Sequence, residues 1–133
     1  MRAFYIIIAV FLLPINIYAQ DFSIPETTLE IYINALKQGD KNTIYNCFHP
    51  VLNEFQLPKP IPIEAYEIQK KIIYSQKEVS DWNTQGILPP AKLGDIDLQV
   101  EQKSYGKKWM YSYLFRNING KWKIISHAAW DQP

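Results

Sequence analysis

The chain has 133 residues, a near-balance of 14 Lys and Arg against 13 Asp and Glu, and a single cysteine. The balanced charge excludes the basic stripe that nucleic-acid binding requires, and a single thiol excludes an internal disulfide. The five glycines are scattered singly, so the chain lacks a glycine-rich phosphate loop. We therefore expect one compact domain, held together by packing alone.

Residues 1–19 are predicted to be a secretory signal peptide. Arg2 supplies a basic start, residues 3–13 form an unbroken apolar run, and Ala19 supplies a small residue at the cleavage point. The alternative is a membrane anchor, but a spanning helix needs about 20 apolar residues and this run is shorter. We expect an exported protein, periplasmic or secreted. Its residues 20–133 would form a single α+β domain that has no membrane association after cleavage.

Helix signals dominate the first half of this domain. A capping box at Thr27 and Glu30 predicts a first helix, and Gly39 is a natural stop for it. Asp40 can cap a short second helix. That helix contains Cys47, which lies between two aromatic residues in "YNCFHP" and is interpreted as a small buried side chain rather than a reactive thiol.

A longer third helix is predicted at residues 63–79. Three prolines between residues 58 and 62 first force an extended connector, because proline fixes φ and donates no hydrogen bond. Apolar residues then recur on one helical stripe, at Ala65, Ile68, Ile72 and Val79. The sequence does not decide the secondary structure of residues 51–57, for which a short strand is one possibility.

The second half of the domain is predicted to be a three-stranded antiparallel meander. The strands are residues 95–103, 108–117 and 121–129, joined by tight turns at Tyr105-Gly106 and Asn119-Gly120. We expect the helices to cover one face of the resulting sheet, which makes an α+β fold.

Two-residue turns would fix the register of the three strands. In that register one face is apolar, and its three rows are Ile96 with Phe115 and Ile124, Leu98 with Tyr113 and Ser126, and Val100 with Tyr111 and Ala128. A slip of one residue would place acids among the aromatics, so burial favours this register. The same register turns His127 to the opposite face, beside Gln99 and Ser112.

The order of elements resembles the nuclear transport factor 2-like superfamily. The matching features are a helix, a Gly-Asp joint and a helix ending in Phe, "ALKQGDKNTIYNCF", and a last strand within "NINGKWKIIS". The resemblance implies a cone-shaped α+β fold in which a curved sheet wraps a long helix and leaves a pocket. It implies little about function, because that scaffold hosts isomerases, dehydratases, hydrolases and binding subunits.

The apolar sheet face is predicted to be the wall of a ligand pocket. It is rich in aromatic residues and has few polar groups, which is the usual make-up of a small-molecule site. We expect a small apolar or aromatic ligand to bind there without catalysis, and the expected ligand-binding residues are Trp109, Tyr111, Tyr113, Ser126 and Trp130. Trp109 and Trp130 would lie opposite each other at the far edge. The alternative is that these aromatic residues fill the core completely.

The opposite sheet face offers a second function. It mixes charges with Met110, Leu114, Ile125 and Ala129, and is therefore more apolar than a free face needs to be. The alternative prediction is a protein–protein interaction module that forms a homodimer through this outer face.

An enzyme resembling an isomerase or a dehydratase is the third hypothesis. Tyr111 or Tyr113 would then donate a hydrogen bond to the substrate, but no acid–base pair is positioned on their face. His127 is interpreted as an ordinary surface or interface histidine. The two histidines and one cysteine share no metal-ligand spacing. No catalytic residue, metal site or cofactor is therefore predicted.

Overall fold

The structure is a computed structural model that describes residues 20–52 and 62–130. The predicted signal peptide at residues 1–19 lies outside these ranges, as does most of the ambiguous segment at 51–57. The described elements are α1 (Pro25–Gln38), α2 (Lys41–Asn46), β1 (Ala65–Ile73), α3 (Gln76–Thr84), β2 (Ile96–Ser104), β3 (Lys107–Ile118) and β4 (Lys121–Trp130). The strands form one curved antiparallel sheet in the order β1-β2-β3-β4. The predicted α+β class is confirmed.

The first two helices form where they were expected, although α1 begins differently. Pro25 is its first residue and Ile24 its cap, because the fixed φ of proline suits the first turn. The Thr27 hydroxyl donates to a backbone carbonyl and caps nothing, so the predicted capping box is wrong. Gly39 ends α1 with a φ of 68°, and Asp40 caps α2 through its carboxylate, as predicted.

The predicted helix at residues 63–79 is wrong except at its end, where residues 76–79 begin α3. Residues 65–73 form β1, which pairs with β2 so that Ile68 lies opposite Val100. A β-bulge at Gln69 then moves Ile72 to the other sheet face, where it lies opposite Asp97. Ala65, Ile68 and Ile72 are three and four positions apart in the sequence, which matches a helical stripe, and the bulge places the last two on opposite sheet faces.

The register of β2 and β3 is confirmed, but that of β3 and β4 is confirmed only in part. Phe115 lies opposite Ile124, and a bulge at Ile125 then shifts the rest of β4 by one residue. Ser126 pairs with Leu114 and His127 pairs with Tyr113. The prediction that Ser126 faces inward and His127 outward is therefore wrong.

The same shift separates the two tryptophans that were expected to lie opposite each other. Trp109 pairs with Gln102 of β2, and the backbone of Trp130 pairs with Met110.

Helices α1 and α2 cover the inner face, the sheet face that carries Leu98 and Phe115, as predicted. The core between them includes fully buried side chains from both layers, among them Leu29, Ile33, Leu98, Phe115 and Ile124. Cys47 belongs to this core and is 0% exposed. The interpretation of a small buried side chain is therefore confirmed, and burial raises the pKa of the thiol to about 12.

A second buried cluster lies on the outer face, the opposite side of the sheet. It consists of Tyr74, Trp82, Ala91, Leu114 and Ile125. Helix α3 and the segment leading to β2 therefore cover two of the apolar residues that suggested a dimer surface, and the predicted place of Ala129 on this face is wrong, because the bulge in β4 pairs it with Tyr111 of the inner face. Dimerisation through this face stays a prediction. In the part of the chain that the structure describes, no helix is long and apolar enough to cross a membrane.

Candidate ligand-binding cleft

The structure separates the residues that were predicted to bind a ligand. Tyr113 is 2% exposed, stacks on Tyr111 at 5.9 Å between ring centroids, and donates its hydroxyl hydrogen bond to Gln102. Trp109 is half-buried, and Ser126 is buried on the outer face. Tyr113 is thus a satisfied core residue of the inner face. The ligand-binding role of the five residues stays a prediction.

His127 lies on the inner face instead of the outer one. Its ring stacks on Tyr113 at 6.0 Å and meets the edge of Phe48 at 6.1 Å. His127 is an exposed residue, and the partial burial of its ring against these side chains lowers its pKa. The interpretation of an ordinary surface histidine is therefore confirmed, although its ring packs at the margin of the inner face and not on the outer one.

A cleft of about 510 Å³ lies on the outer face, between the sheet and α3. This volume is within the range of small-molecule sites. Its polar lining includes Tyr74, Glu78, Asp81, Asp97, Gln99 and Ser112. Its apolar lining is Ile72, Trp82, Ile87, Ala128 and Ala129. Trp109, Tyr111, Tyr113 and Ser126 are not among the described residues that line it.

Helical and strand periodicity bring the lining residues together. Along α3, Glu78, Asp81 and Trp82 recur at positions three and four apart, which places them on one side of the helix. Along β2, Asp97 and Gln99 alternate onto the outer face, and Ser112 of β3 lies opposite Gln99. Helix α3 starts with a capping box in which the Glu78 carboxylate accepts the backbone N–H of Ser75 at 3.0 Å.

Asp97 is the most unusual group of the cleft. Its side chain is buried, and the residue is only 4% exposed. Its Oδ2 accepts a hydrogen bond from the Tyr74 hydroxyl at 2.9 Å, whereas Oδ1 has no hydrogen-bond partner among the described residues. Burial raises the pKa of Asp97, against the opposing effect of the Tyr74 and Ser112 hydroxyls. A buried carboxylate with a raised pKa in a cleft marks a candidate functional site.

Tyr74 and Trp82 form the aromatic side of the cleft. Their ring centroids lie 6.2 Å apart in an edge-to-face arrangement, and the Trp82 indole donates to the carbonyl of Pro89 at 3.3 Å. Burial, followed by the neighbouring charge of Asp97, raises the pKa of Tyr74. Tyr74 therefore keeps its proton and remains a hydrogen-bond donor to Asp97.

The charge around the cleft is one-sided. Glu78, Asp81 and Asp97 line it, and no Lys, Arg or His does so among the residues that the structure describes. Across the same described ranges, no group of three or more His, Cys, Asp or Glu side chains is arranged to hold a metal ion. The cleft can accept hydrogen bonds and attract positive charge.

An ion pair holds the segment between α3 and β2, which forms one rim of the cleft. The Arg116 guanidinium donates to both carboxylate oxygens of Asp95, at 2.9 and 2.7 Å, and to the carbonyl of Pro90 at 3.1 Å. The backbone N–H of Lys92 donates to the same carboxylate at 2.8 Å. Because this segment carries Ile87, which lines the cleft, the ion pair stabilises that part of the lining.

Comparison with family models, with curated proteins and with solved structures finds no match for this chain. The resemblance to the nuclear transport factor 2-like superfamily therefore stays a prediction, and the α+β class rests on the structure.

Replacing Asp97 with Asn is expected to raise the free energy of unfolding by about 1 kcal/mol near neutral pH, the size common for single stabilising substitutions. Asparagine keeps an oxygen acceptor for Tyr74 and removes the charge whose burial raises the pKa of Asp97. A carboxyl whose folded pKa lies above its unfolded pKa costs stability while it is ionised. That cost is complete above the folded pKa and disappears as the pH falls towards the ordinary Asp pKa of about 3.9.

Urea unfolding of wild type and Asp97→Asn, measured across that pH window, tests this expectation. The difference between the two proteins should shrink as the solution becomes more acidic. The exposed Glu67→Gln serves as the control for losing one carboxylate. A difference that stays constant with pH would show that Asp97 does not carry the proposed ionisation cost.

Proposed function

We propose that this protein is an exported, non-catalytic domain that binds a small molecule in the cleft between α3 and the outer sheet face. The observation that carries the proposal is the Asp97 carboxyl, which lines the cleft with one oxygen that lacks a hydrogen-bond partner among the described residues. Leaving a buried polar group unpaired costs about 1–3 kcal/mol. A hydrogen-bond donor on a ligand would remove that cost once the side chains around Asp97 admit it.

The walls of the cleft supply the rest of a small-molecule site. Ile72, Trp82 and Ile87 offer apolar surface, and Gln99 and Ser112 offer polar groups that can fix the orientation of a ligand. The ligand would thus have an apolar or aromatic part, as the sequence suggested, but its site is moved from the inner face to the outer one. Export is supported by the signal-like pattern of residues 1–19.

We also propose the nuclear transport factor 2-like cone as the fold family. The proposal is supported by two helices joined at Gly39 and Asp40, followed by a curved antiparallel sheet that they cover on its inner face. The quoted sequence segments support it further. The fold family does not decide the function, because one scaffold hosts many sites.

Acid–base catalysis of the isomerase or dehydratase kind is the second candidate. It is favoured by the raised pKa of Asp97, since a general base works best when its pKa approaches the working pH. Binding is preferred because the partner of Asp97 is a poor proton donor. The pKa of Tyr74 is itself raised, and the described lining of the cleft contains no imidazole or ammonium group.

Two measurements test the proposal. Native mass spectrometry of the exported protein from its own host should show a retained small molecule, together with the mass of the cleaved chain. Heteronuclear NMR of the labelled protein should then show chemical-shift changes at the Trp82 indole and at the amides of Gln99 and Ser112 when that molecule is added. Changes confined to Tyr113 and His127 would instead place the ligand on the inner face and overturn the proposed site.

A further inference from the structure

We infer that the cleft selects small organic cations, in which a protonated amine is joined to an apolar or aromatic group. The inference rests on the proposed function and adds the charge of the ligand. It arises from one juxtaposition: Glu78 and Asp81 of α3 lie across the cleft from Asp97 of β2, and the described residues contribute no basic side chain to the lining. A cation entering this cleft is attracted by all three carboxylates, and an anion is repelled by them.

Among the residues that the structure describes, none of the three carboxylates forms an ion pair, although the charge of Lys77 acts on Glu78. The ion pairs found among the described residues join Lys71 to Glu26, Lys103 to Glu64, Lys108 to Glu101 and Arg116 to Asp95. Glu78, Asp81 and Asp97 belong to none of them. The charges of Asp81 and Asp97 are therefore available to a ligand, while Glu78 also caps α3.

Asp97 adds an observation on hydrogen bonding to its contribution of charge. It is 4% exposed, and its buried Oδ1 makes no hydrogen bond of normal geometry in the described part of the chain, although the Ser112 hydroxyl lies close enough to affect the carboxyl, so a ligand reaches this oxygen only when the side chains around it move. An ammonium group carries three donors and no acceptor, so it satisfies such an oxygen without bringing an unpaired acceptor into the cleft. Hydrogen bonds between charged partners are also shorter and stronger than neutral ones.

The aromatic wall points to the rest of the ligand. Tyr74 and Trp82 meet edge to face at 6.2 Å, and both line the cleft. Aromatic rings attract cations through their electron-rich faces, and they pack well against apolar groups. With a volume of about 510 Å³, the cleft has room for an aromatic ring together with an amine.

The test uses three probes of matched size and different charge: 2-phenylethylammonium, 2-phenylethanol and 3-phenylpropionate. Each is titrated into the labelled full domain, and the shifts of the Trp82 indole and of the Gln99 and Ser112 amides give its affinity. The cation is expected to bind at least about tenfold more tightly than the alcohol, as for a hydrogen bond to a charged group. The anion should bind most weakly. Raising the ionic strength from about 0.01 M to about 1 M should lower the affinity for the cation alone, because the screening length shortens from about 30 Å to about 3 Å.

Three variants assign the effect to the carboxylates. Asp97→Asn should lower the affinity for the cation about tenfold. Asp81→Asn should lower it about threefold, which is the size of an exposed charge interaction. Neither should change the affinity for the alcohol, whereas a merely structural role would change both affinities equally. Glu30→Gln removes an exposed carboxylate from α1, on the other side of the sheet, and should change neither.

The outcomes separate the inference from the proposed function. Equal or tighter binding of the alcohol or the anion at the cleft overturns the inference and leaves the proposed binding function standing. Shifts by none of the three probes at the cleft residues also overturn the inference, and the proposed function is then decided by where the retained molecule binds.

Discussion

Replacing Trp82 with alanine is expected to lower the free energy of unfolding by about 3–5 kcal/mol, the range for truncating a buried aromatic side chain. Trp82 is 5% exposed and is the buried residue of α3. Its removal would leave a cavity beneath the helix, together with the loss of its contact with Tyr74 and of its hydrogen bond to Pro89. Urea unfolding followed by circular dichroism measures the effect.

Trp82→Phe is the matched control for this substitution. Phenylalanine keeps most of the ring packing and loses only the indole donor, so it should cost about 1 kcal/mol, the net worth of a typical hydrogen bond. Hydrogen exchange should show that the amides of α3 lose protection first, because this helix can open locally while the inner core stays intact. If the free energy of unfolding of Trp82→Ala differed from that of wild type by less than about 1 kcal/mol, Trp82 would not be the anchor of α3.

Replacing Arg116 with methionine should lower the free energy of unfolding by about 3 kcal/mol, because it leaves the buried Asp95 carboxylate without its cation. The side chain of Asp95 is 3% exposed and that of Arg116 is 19% exposed. The change also removes the hydrogen bond to Pro90, so the segment that carries Ile87 should become mobile. Thermal and urea unfolding measure the first effect, and NMR relaxation of residues 86–95 measures the second.

An exposed ion pair of the same sheet supplies the control. Lys103 and Glu64 lie 3.8 Å apart with about half of each side chain exposed, so Lys103→Met should cost only about 0–1 kcal/mol. The double change of Asp95→Asn with Arg116→Met should recover part of the loss, because no buried charge is left unpaired. If Arg116→Met cost no more than Lys103→Met, the buried ion pair would not support the rim of the cleft.

Local sequence signals predicted the features that depend on near neighbours. Tyr105-Gly106 and Asn119-Gly120 form the expected turns, and all four residues have positive φ. The first of these turns aligns β2 with β3 along their whole length, which placed Asp97 on the outer face beside Leu114. This placement was the available signal for the cleft.

The errors occur where a bulge hides the period of a strand. The bulge at Gln69 interrupts the two-residue alternation of β1, so the strand was taken for a helix and the true helix start at Ser75 and Glu78 was overlooked. The bulge at Ile125 exchanged the faces of Ser126 and His127. In both strands, one extra residue changes the face of every later side chain.

The sequence by itself determined the α+β class, the ends of α1 and α2 at Gly39 and Asp40, and the register of β2 with β3, because each depends on contacts between residues close in the chain. Only the tertiary structure decided where β4 shifts. At Ile124, backbone hydrogen bonds of 2.7 and 2.9 Å tie β4 to Cys47 and His49, just before the bulge. Distant contacts of this kind, like the layer that α3 adds over Asp97, depend on which surfaces remain to be buried once the sheet has formed, and no local pattern encodes them.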